Sequence, residues 1–477
     1  MQYTDSLVGK HIGIVGFGKE GQAVAQFLLT AGLTAHIFDA KQAADFSAEL
    51  VARYQTAGFT FVFGHDFSDF GSLDCIFRSP GVPLVTAGLV QAQARGCEIT
   101  SQTKFFFKHT PAKIIGVTGT KGKGTTTSLI YALLRQAVEL GLPQNIVGQS
   151  GSVFLTGNIG KEDPLALLPT LTERDVVVFE MSSFQLEDLE QSPHIGVCLM
   201  VTSDHLDHHA NLTEYHAAKE AIAKFQTPAD TLLFCDDYPA TKAIGALGAG
   251  KKYAFSRTHS LPEGAYAQGQ ELFVQTAQGA LHLAVAKRQL RGDHNLENLL
   301  AAALVGSVVG LPESHINSVL TEFKGLEHRL EYVGTFADVS FYNDSIATVP
   351  ESAIAAVRSF HEPIVLILGG SDKGADFTGL ATEIAAKPNV KAIIVVGQTT
   401  NQIATALEAA TVPTERVFRG AENMGEIFAQ IASVASAGDV VLLSPACASF
   451  GMFQSYADRG QQFRLHAQNF KRQDHTA

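Results

Sequence analysis

Lys113-Ile114-Ile115-Gly116-Val117-Thr118-Gly119-Thr120-Lys121-Gly122-Lys123-Gly124-Thr125-Thr126-Thr127 is the stretch that decides how this chain is read. A short apolar run ends at Gly116. A turn of Gly, Thr and Lys follows, and a helix begins near Thr125 and runs through Leu129, Ile130, Leu133 and Leu134. Strand, glycine turn and helix make a phosphate-cradling loop. The glycines let backbone N–H groups approach an anion, the helix N-terminus adds partial positive charge, and Lys123 adds a full charge. Two features depart from the strict pattern. The first glycine is displaced by one position, and Gly124 stands where Ser or Thr would meet a magnesium ion. Thr125 carries the next hydroxyl and takes that role.

Upstream, Lys10 to Val15 reads as a strand, followed by Gly16-Phe17-Gly18-Lys19-Glu20-Gly21, a helix through Ala25, Leu28 and Leu29, and a second strand from Thr34 to Phe38 ending in Asp39. That is a GxGxxG turn in a βαβ unit with an acid about 20 residues on, which serves NAD or any other pyrophosphate. Asp74 to Arg78 forms a further strand, and Ser79-Pro80-Gly81 turns at its C-terminal end, where ligands sit in open α/β sheets.

Downstream, the β-branched run Asp175 to Phe179 predicts a buried strand with Glu180 at its tip, a position suited to a magnesium ligand. Ile195 to Val201 leads into Thr202-Ser203-Asp204-His205-Leu206-Asp207-His208-His209. Without cysteines or HExxH spacing this cluster favours an oxygen-loving metal over zinc. Lys219 follows on a helix. Pattern alone makes it a solvated lysine, although its small neighbours leave room for it to point inward. Asn295 and Asn298 lie one helical turn apart, and their amides could grip a purine or simply cap the helix. In the last third, strands Pro363 to Leu368, Lys391 to Val396 and Asp439 to Leu443 alternate with helices near 352–360, 379–386, 401–409 and 422–435. Polar clusters follow strands at Asn343-Asp344-Ser345, Gly369 to Lys373 and Ser444 to Ser449, and a parallel sheet brings them to one edge.

Composition fits this reading. The 477 residues are 46% hydrophobic and 17% charged, which bounds a folded α/β chain of about three domains. A net charge of −12 argues against nucleic-acid and acidic-membrane partners. Neither a bilayer-length apolar run nor a secretory core is found, so the cytoplasm is expected. The five scattered cysteines read as buried thiols.

The ordered motifs, taken together, resemble the muramyl (Mur) ligase superfamily of peptidoglycan synthesis, in its glutamate-adding branch. They are Gly16 to Gly21, Ser79-Pro80-Gly81, Gly119 to Lys123, Gly157-Asn158-Ile159-Gly160, Glu180 to Leu186, Asp204-His205-Leu206-Asp207, Lys219, His294 to Asn298, His328-Arg329-Leu330-Glu331, Asn343-Asp344-Ser345, Asp372-Lys373 and Ser444 to Ser449. The resemblance covers nearly the whole chain. It implies three α/β domains: a Rossmann-like UDP-precursor domain (1–110), a central P-loop-type ATP-binding domain with a parallel sheet (111–326) and a Rossmann-like C-terminal domain (327–477). It implies that Gly18, Lys19, Asp39, Ser79, Pro80, Gly81 and Asn158 bind the UDP precursor. Gly119, Thr120, Lys121, Gly122, Lys123, Gly124, Thr125, Asn295, Asn298, Arg329 and Asp344 would bind ATP. Thr125 and Glu180 would hold one magnesium ion; His205 and Lys219, the latter carbamylated by CO2, would hold a second. Thr348, Lys373, Ser449 and Tyr456 would receive the amino acid, and Lys123, Glu180, His205 and Lys219 would carry catalysis.

The implied reaction joins glutamate, D-glutamate by preference, to UDP-N-acetylmuramoyl-L-alanine through an acyl phosphate, in a monomer with small-molecule partners only. Such relatives usually read Asn-Asp-Ser-Lys-Ala-Thr-Asn where this chain has Ile346 and Val349, and often carry aspartate at Gly451. L-Glutamate therefore stays open as acceptor. The Lys123-Gly124 pair resembles folylpolyglutamate synthases, which generally lack a preceding nucleotide-fold domain.

Overall fold

The computed structural model describes residues 3–160, 162–202 and 212–471. Among them the strands form three sheets, one in each expected segment. The first is wholly parallel, ordered Thr60–Phe63, His36–Asp39, Ile12–Val15, Cys75–Arg78, Glu98–Thr100. Its central strands are buried along their whole length, because helices cover both faces of a parallel sheet.

The second sheet has nine strands. Its parallel part runs Lys251–Ser256, Thr231–Cys235, Ile195–Cys198, Lys113–Thr118, Val176–Glu180, Val153–Gly157. Beyond Lys251–Ser256 it continues through Gly264–Gln268 into an antiparallel meander, Glu271–Thr276 and Gly279–Ala284. The sheet is thus mixed, not purely parallel. Along Glu271–Thr276 buried and more exposed residues alternate, as they do on a sheet with one wet face.

The third sheet is ordered Glu331–Phe336, Val339–Asn343, Val440–Leu443, Ile364–Gly370, Val390–Gly397, Val417–Phe418, parallel except for its first strand. With no tryptophan, phenylalanines fill much of the interior: Phe17 meets Phe61 edge to face at 5.2 Å, and Phe341 meets Phe470 at 5.0 Å. All five cysteines are buried and free. The chain divides into two compact units, Met1–Val285 with Glu297–Val319, and Ala286–Leu296 with Leu320–Ala477. No described helix is long and apolar enough to cross a membrane.

Candidate active site

The strand Lys113–Thr118 ends at Gly119 (φ +153°), and the helix Lys123–Glu139 is entered through Gly122 (φ +85°). Both conformations favour glycine. A Cβ on Gly119 would lie 2.8 Å from Leu199 Cβ, and one on Gly122 would strike the Asn298 carboxamide. The lysine at the helix start curls over the turn, its Nζ donating to the carbonyls of Gly119 (2.9 Å) and Thr120 (3.1 Å). Thr125 is buried in the helix's first turn, and Lys121 is exposed.

Three neighbouring elements flank this loop. Glu180 ends Val176–Glu180, in register with Val117 on one side and Gly157 on the other. Asn158 follows, exposed, its N–H donating to the Glu180 carbonyl at 3.2 Å. Lys219 ends the helix Leu212–Lys219 and is only 1% exposed. Its Nζ lies 3.5 Å from Thr118 Oγ1, 3.4 Å from the Gly119 carbonyl and 4.7 Å above the Tyr215 ring. This overturns the solvated reading of that lysine from pattern and agrees with an inward one. Asp204, His205, Asp207, His208 and His209 lie outside the described residues. Among the described residues no three His, Cys, Asp or Glu side chains gather as a metal site.

A second layer fixes the loop, and the sequence reading missed it. Thr120 donates its N–H to the Met200 carbonyl (2.7 Å), and Met200 in turn donates its N–H to the buried Glu297 carboxylate (2.7 Å). Burial raises the Glu297 carboxyl above its ordinary range, while that N–H pulls it back. Asn298 accepts from the Thr126 hydroxyl at 3.0 Å, so its amide sits against the phosphate loop. Asn295 instead bonds the Arg291 carbonyl and His294. The signal for this layer was the capping-type spacing of His294 to Asn298, which could not say what the helix start would touch.

At the first sheet, Gly16 has φ +87° and donates to the Phe38 carbonyl at 2.8 Å. Asp39 turns back into this turn: one oxygen accepts the Phe17 N–H (2.6 Å), the other the Lys41 N–H (2.8 Å). Ser79 donates its hydroxyl to the Gly16 carbonyl at 2.7 Å. Gly18, Lys19 and Gly81 are exposed and Pro80 half-buried on the same turns. The sequence reading also missed Arg78. Wholly buried, it donates to the Val82 carbonyl (2.7 Å) and pairs with Glu187 (3.6 Å) and Asp188 (3.3 Å). It thereby ties the Ser79 turn to the segment that follows Glu180. Glu20 reaches the same segment through Gln185 (3.0 Å), and burial pushes its carboxyl up to about 7.

In the C-terminal unit the three polar clusters do meet at one sheet edge. Ser444 donates to Asp344 Oδ2 (2.7 Å), Leu330 N–H donates to Asp344 Oδ1 (3.1 Å), and Ser371 N–H donates to the Ala448 carbonyl (2.9 Å). Burial pushes the Asp344 carboxyl up to about 7. Ser449 is buried, Thr348 half-buried, and Arg329, Lys373 and Tyr456 are exposed at this edge. Lys373 Nζ lies 5.8 Å from the Phe450 ring centroid.

Three α/β sheets, the middle one carrying a phosphate loop with an acid and a buried lysine beside it, define an α/β phosphate-loop protein. The Mur ligase MurD-like N-terminal domain matches residues 10–101, the Mur ligase middle domain 117–306, and the Mur ligase glutamate ligase domain 328–447. The UDP-N-acetylmuramoylalanine–D-glutamate ligase of Roseiflexus sp. (strain RS-1) is 36% identical over 482 residues, covering 97% of this chain and 99% of that protein. The ligase of the same name from Acidobacterium capsulatum is 36% identical over 462 residues, covering 96% of each. The chain belongs to the Mur ligase family. Among solved structures, MurF from Acinetobacter baumannii shares the fold with a TM-score of 0.59 at 17% identity, covering 91% of each chain. UDP-N-acetylmuramate-alanine ligase MurC from Thermotoga maritima does so at 0.56 and 18%, covering 96% of this chain and 99% of that one.

Proposed function

We propose that this chain joins D-glutamate to UDP-N-acetylmuramoyl-L-alanine, with ATP as phosphoryl donor, in cytoplasmic peptidoglycan precursor synthesis. The reading is carried by one juxtaposition: the Gly119–Lys123 loop, Glu180 and buried Lys219 share one edge of the central sheet. Near full-length relatives named for that activity support it. We assign one domain to each sheet, with bounds 1–110, 111–326 and 327–477.

The precursor's terminal carboxylate is a poor acyl donor. Phosphorylation by ATP turns it into an acyl phosphate; the glutamate amine then attacks the acyl carbon, forming the amide, and phosphate leaves. Lys123 and the loop N–H groups bind the ATP phosphates, with Thr120 and Lys121 beside them, and Asn295, Asn298, Arg329 and Asp344 hold the rest of the nucleotide. Gly18, Lys19, Asp39, Ser79, Pro80, Gly81 and Asn158 hold the precursor. Thr348, Lys373, Ser449 and Tyr456 receive the amino acid, and His205 assists loss of the amine proton.

The hydroxyl of Thr125 and the carboxylate of Glu180 suit magnesium, which takes oxygen ligands. Thr125 and Glu180 would hold one ion, and His205 with Lys219 a second. Bound there, magnesium offsets charge on the transferred phosphoryl group. As an amine Lys219 is a poor ligand for it. Addition of CO2 to the neutral amine, with loss of a proton, forms a carbamate whose oxygens suit the ion.

The test incubates the protein with precursor, ATP, magnesium and each glutamate enantiomer, following phosphate and product mass. Product with D-glutamate is expected; none with either enantiomer sinks the reading. The second reading, L-glutamate as acceptor, rests on Ile346 and Val349, and product with L-glutamate alone would establish it.

A further inference from the structure

We propose that Arg459 is the cation around which the acceptor amino-acid pocket is built, and that the acceptor's carboxylate is its counter-charge. The inference rests on the function proposed above. Arg459 lies on the helix Tyr456–Gln468 and is 2% exposed. Its Nε donates to Ser345 Oγ at 2.9 Å, and its Nη2 donates to the carbonyls of Ser345 (2.8 Å) and Cys447 (3.1 Å). Ser345 also donates its hydroxyl to the Tyr456 carbonyl at 2.8 Å. One guanidinium therefore joins the loop after Asn343, the loop after Leu443 and the start of its own helix. Those segments carry Thr348, Ser449 and Tyr456.

Holding loops together needs only neutral donors. A full charge asks for a further reason, because a buried cation without a counter-ion is costly. Arg78, equally buried, has Glu187 and Asp188 beside it. Arg459 pairs with no carboxylate among the described residues; the titratable group acting on it is the Cys447 thiol. Its Nη1 is buried with no hydrogen-bond partner. Burial accordingly lowers its pKa to about 10, the response of a cation lacking an anion. Ile346, next to Ser345, adds no charge of its own. An amino acid arriving at Ser449 and Tyr456 with a carboxylate supplies the missing anion. Arg459 itself stays beneath the loops, so it is a positioning residue that selects for charge.

Steady-state kinetics on the full chain, varying glutamate and then ATP with the other substrates saturating, compare the parent with Arg459→Gln and Arg459→Lys. Arg459→Gln keeps a donor without charge and should raise KM for glutamate about 30-fold, through loss of the buried charge that draws the acceptor carboxylate to the loops it positions. Arg459→Lys keeps the charge and should raise it less than about 5-fold, with KM for ATP unchanged in both. Equal glutamate KM in the two variants, or a parallel rise in KM for ATP, overturns the proposal. Should the Gln variant fail to fold, inhibition of the parent by the two monoamides of glutamate decides. At least one should bind about 30-fold more weakly than glutamate, and equal binding of all three overturns the inference. A parent with no glutamate-dependent phosphate release sinks the functional reading itself; an active parent with a flat Arg459 series sinks only this inference.

Discussion

Arg78→Met removes the cation at 3.6 Å from Glu187 and 3.3 Å from Asp188 while filling most of its volume. At an effective dielectric of about 20 each contact is worth roughly 5 kcal/mol before desolvation is counted. Deleting one partner of a buried ion pair costs about 3–5 kcal/mol net, because the remaining charge is stranded. The pH dependence follows from Glu187. Burial holds its folded-state carboxyl above the unfolded value, and Arg78 is the attraction that limits the rise. A carboxyl with a raised folded-state pKa contributes its full stability below the unfolded value, near 4.5, and loses it as pH rises through the folded value. Without Arg78 that folded value climbs further. The Arg78→Met penalty should therefore be smallest below about pH 4.5 and largest at about pH 8. The chain has no tryptophan, so urea unfolding is followed by far-ultraviolet circular dichroism at several pH values. A penalty below about 1 kcal/mol at about pH 8, or one that does not vary with pH, would refute the reasoning.

Lys219→Ala should abolish ligation, and bicarbonate with short carboxylic acids should restore part of it; an alanine variant as active as the parent removes the carbamate. Asp344→Asn should unfold at the same temperature as the parent near pH 4 and at a higher one above pH 7, because burial raises the Asp344 carboxyl from 3.8 to about 7 and its stability contribution is lost across that window. Thermal melts at both ends check this, and a variant less stable than the parent above pH 7 contradicts it. Gly122→Ala should weaken ATP binding and destabilise the loop by about 1–2 kcal/mol from its left-handed φ alone, plus the collision with Asn298. Asn298→Ala in the same chain should relieve the collision but not the backbone term, so calorimetric ATP titrations of the double-mutant cycle should show coupling, and strict additivity would exclude the contact.

How much was legible depended on whether a signal was local. Central parallel strands such as Val176–Glu180 and Ile364–Gly370 announced themselves as unbroken apolar runs, since both faces are buried, and the glycine turns by spacing; the parallel strands Thr60–Phe63, Glu98–Thr100, Val153–Gly157, Thr231–Cys235, Lys251–Ser256 and Val339–Asn343 went unread. The meander 264–284 was missed because its apolar residues alternate over short stretches, at Leu272 and Val274, with more exposed neighbours between. Lys219 was misjudged by pattern because small flanking residues permit either orientation; only the packing against Thr118 and Tyr215 decides it. Arg78 and Arg459 carry no motif of their own, and Glu297 sits inside the His294 to Asn298 motif with no role legible for it. Their partners Asp188, Met200 and Ser345 lie 97 to 114 residues away in the chain, so nothing near them in sequence says what they touch.

The residues that depart from the glutamate-adding pattern can be weighed against these contacts. Gly451 has φ +95° and open space where a Cβ would stand, so backbone conformation favours glycine there. Val349 is 48% exposed at the start of the helix Pro350–Arg358. Ile346 keeps its N–H on the His328 carbonyl at 3.1 Å, and the same loop is pinned by Asp344 to Leu330 and Ser444. The loop is thus held by backbone groups, by Asp344 and by Ser345 with Arg459, not by the side chains that changed. What Ile346 removes, where relatives carry lysine, is a positive charge. Restoring it with Ile346→Lys should leave thermal stability within about 0.5 kcal/mol, the usual range for a substitution away from the core, and lower KM for the anionic substrates. A large stability loss would mean that Ile346 packs in the loop's interior and that the loop was rebuilt around it.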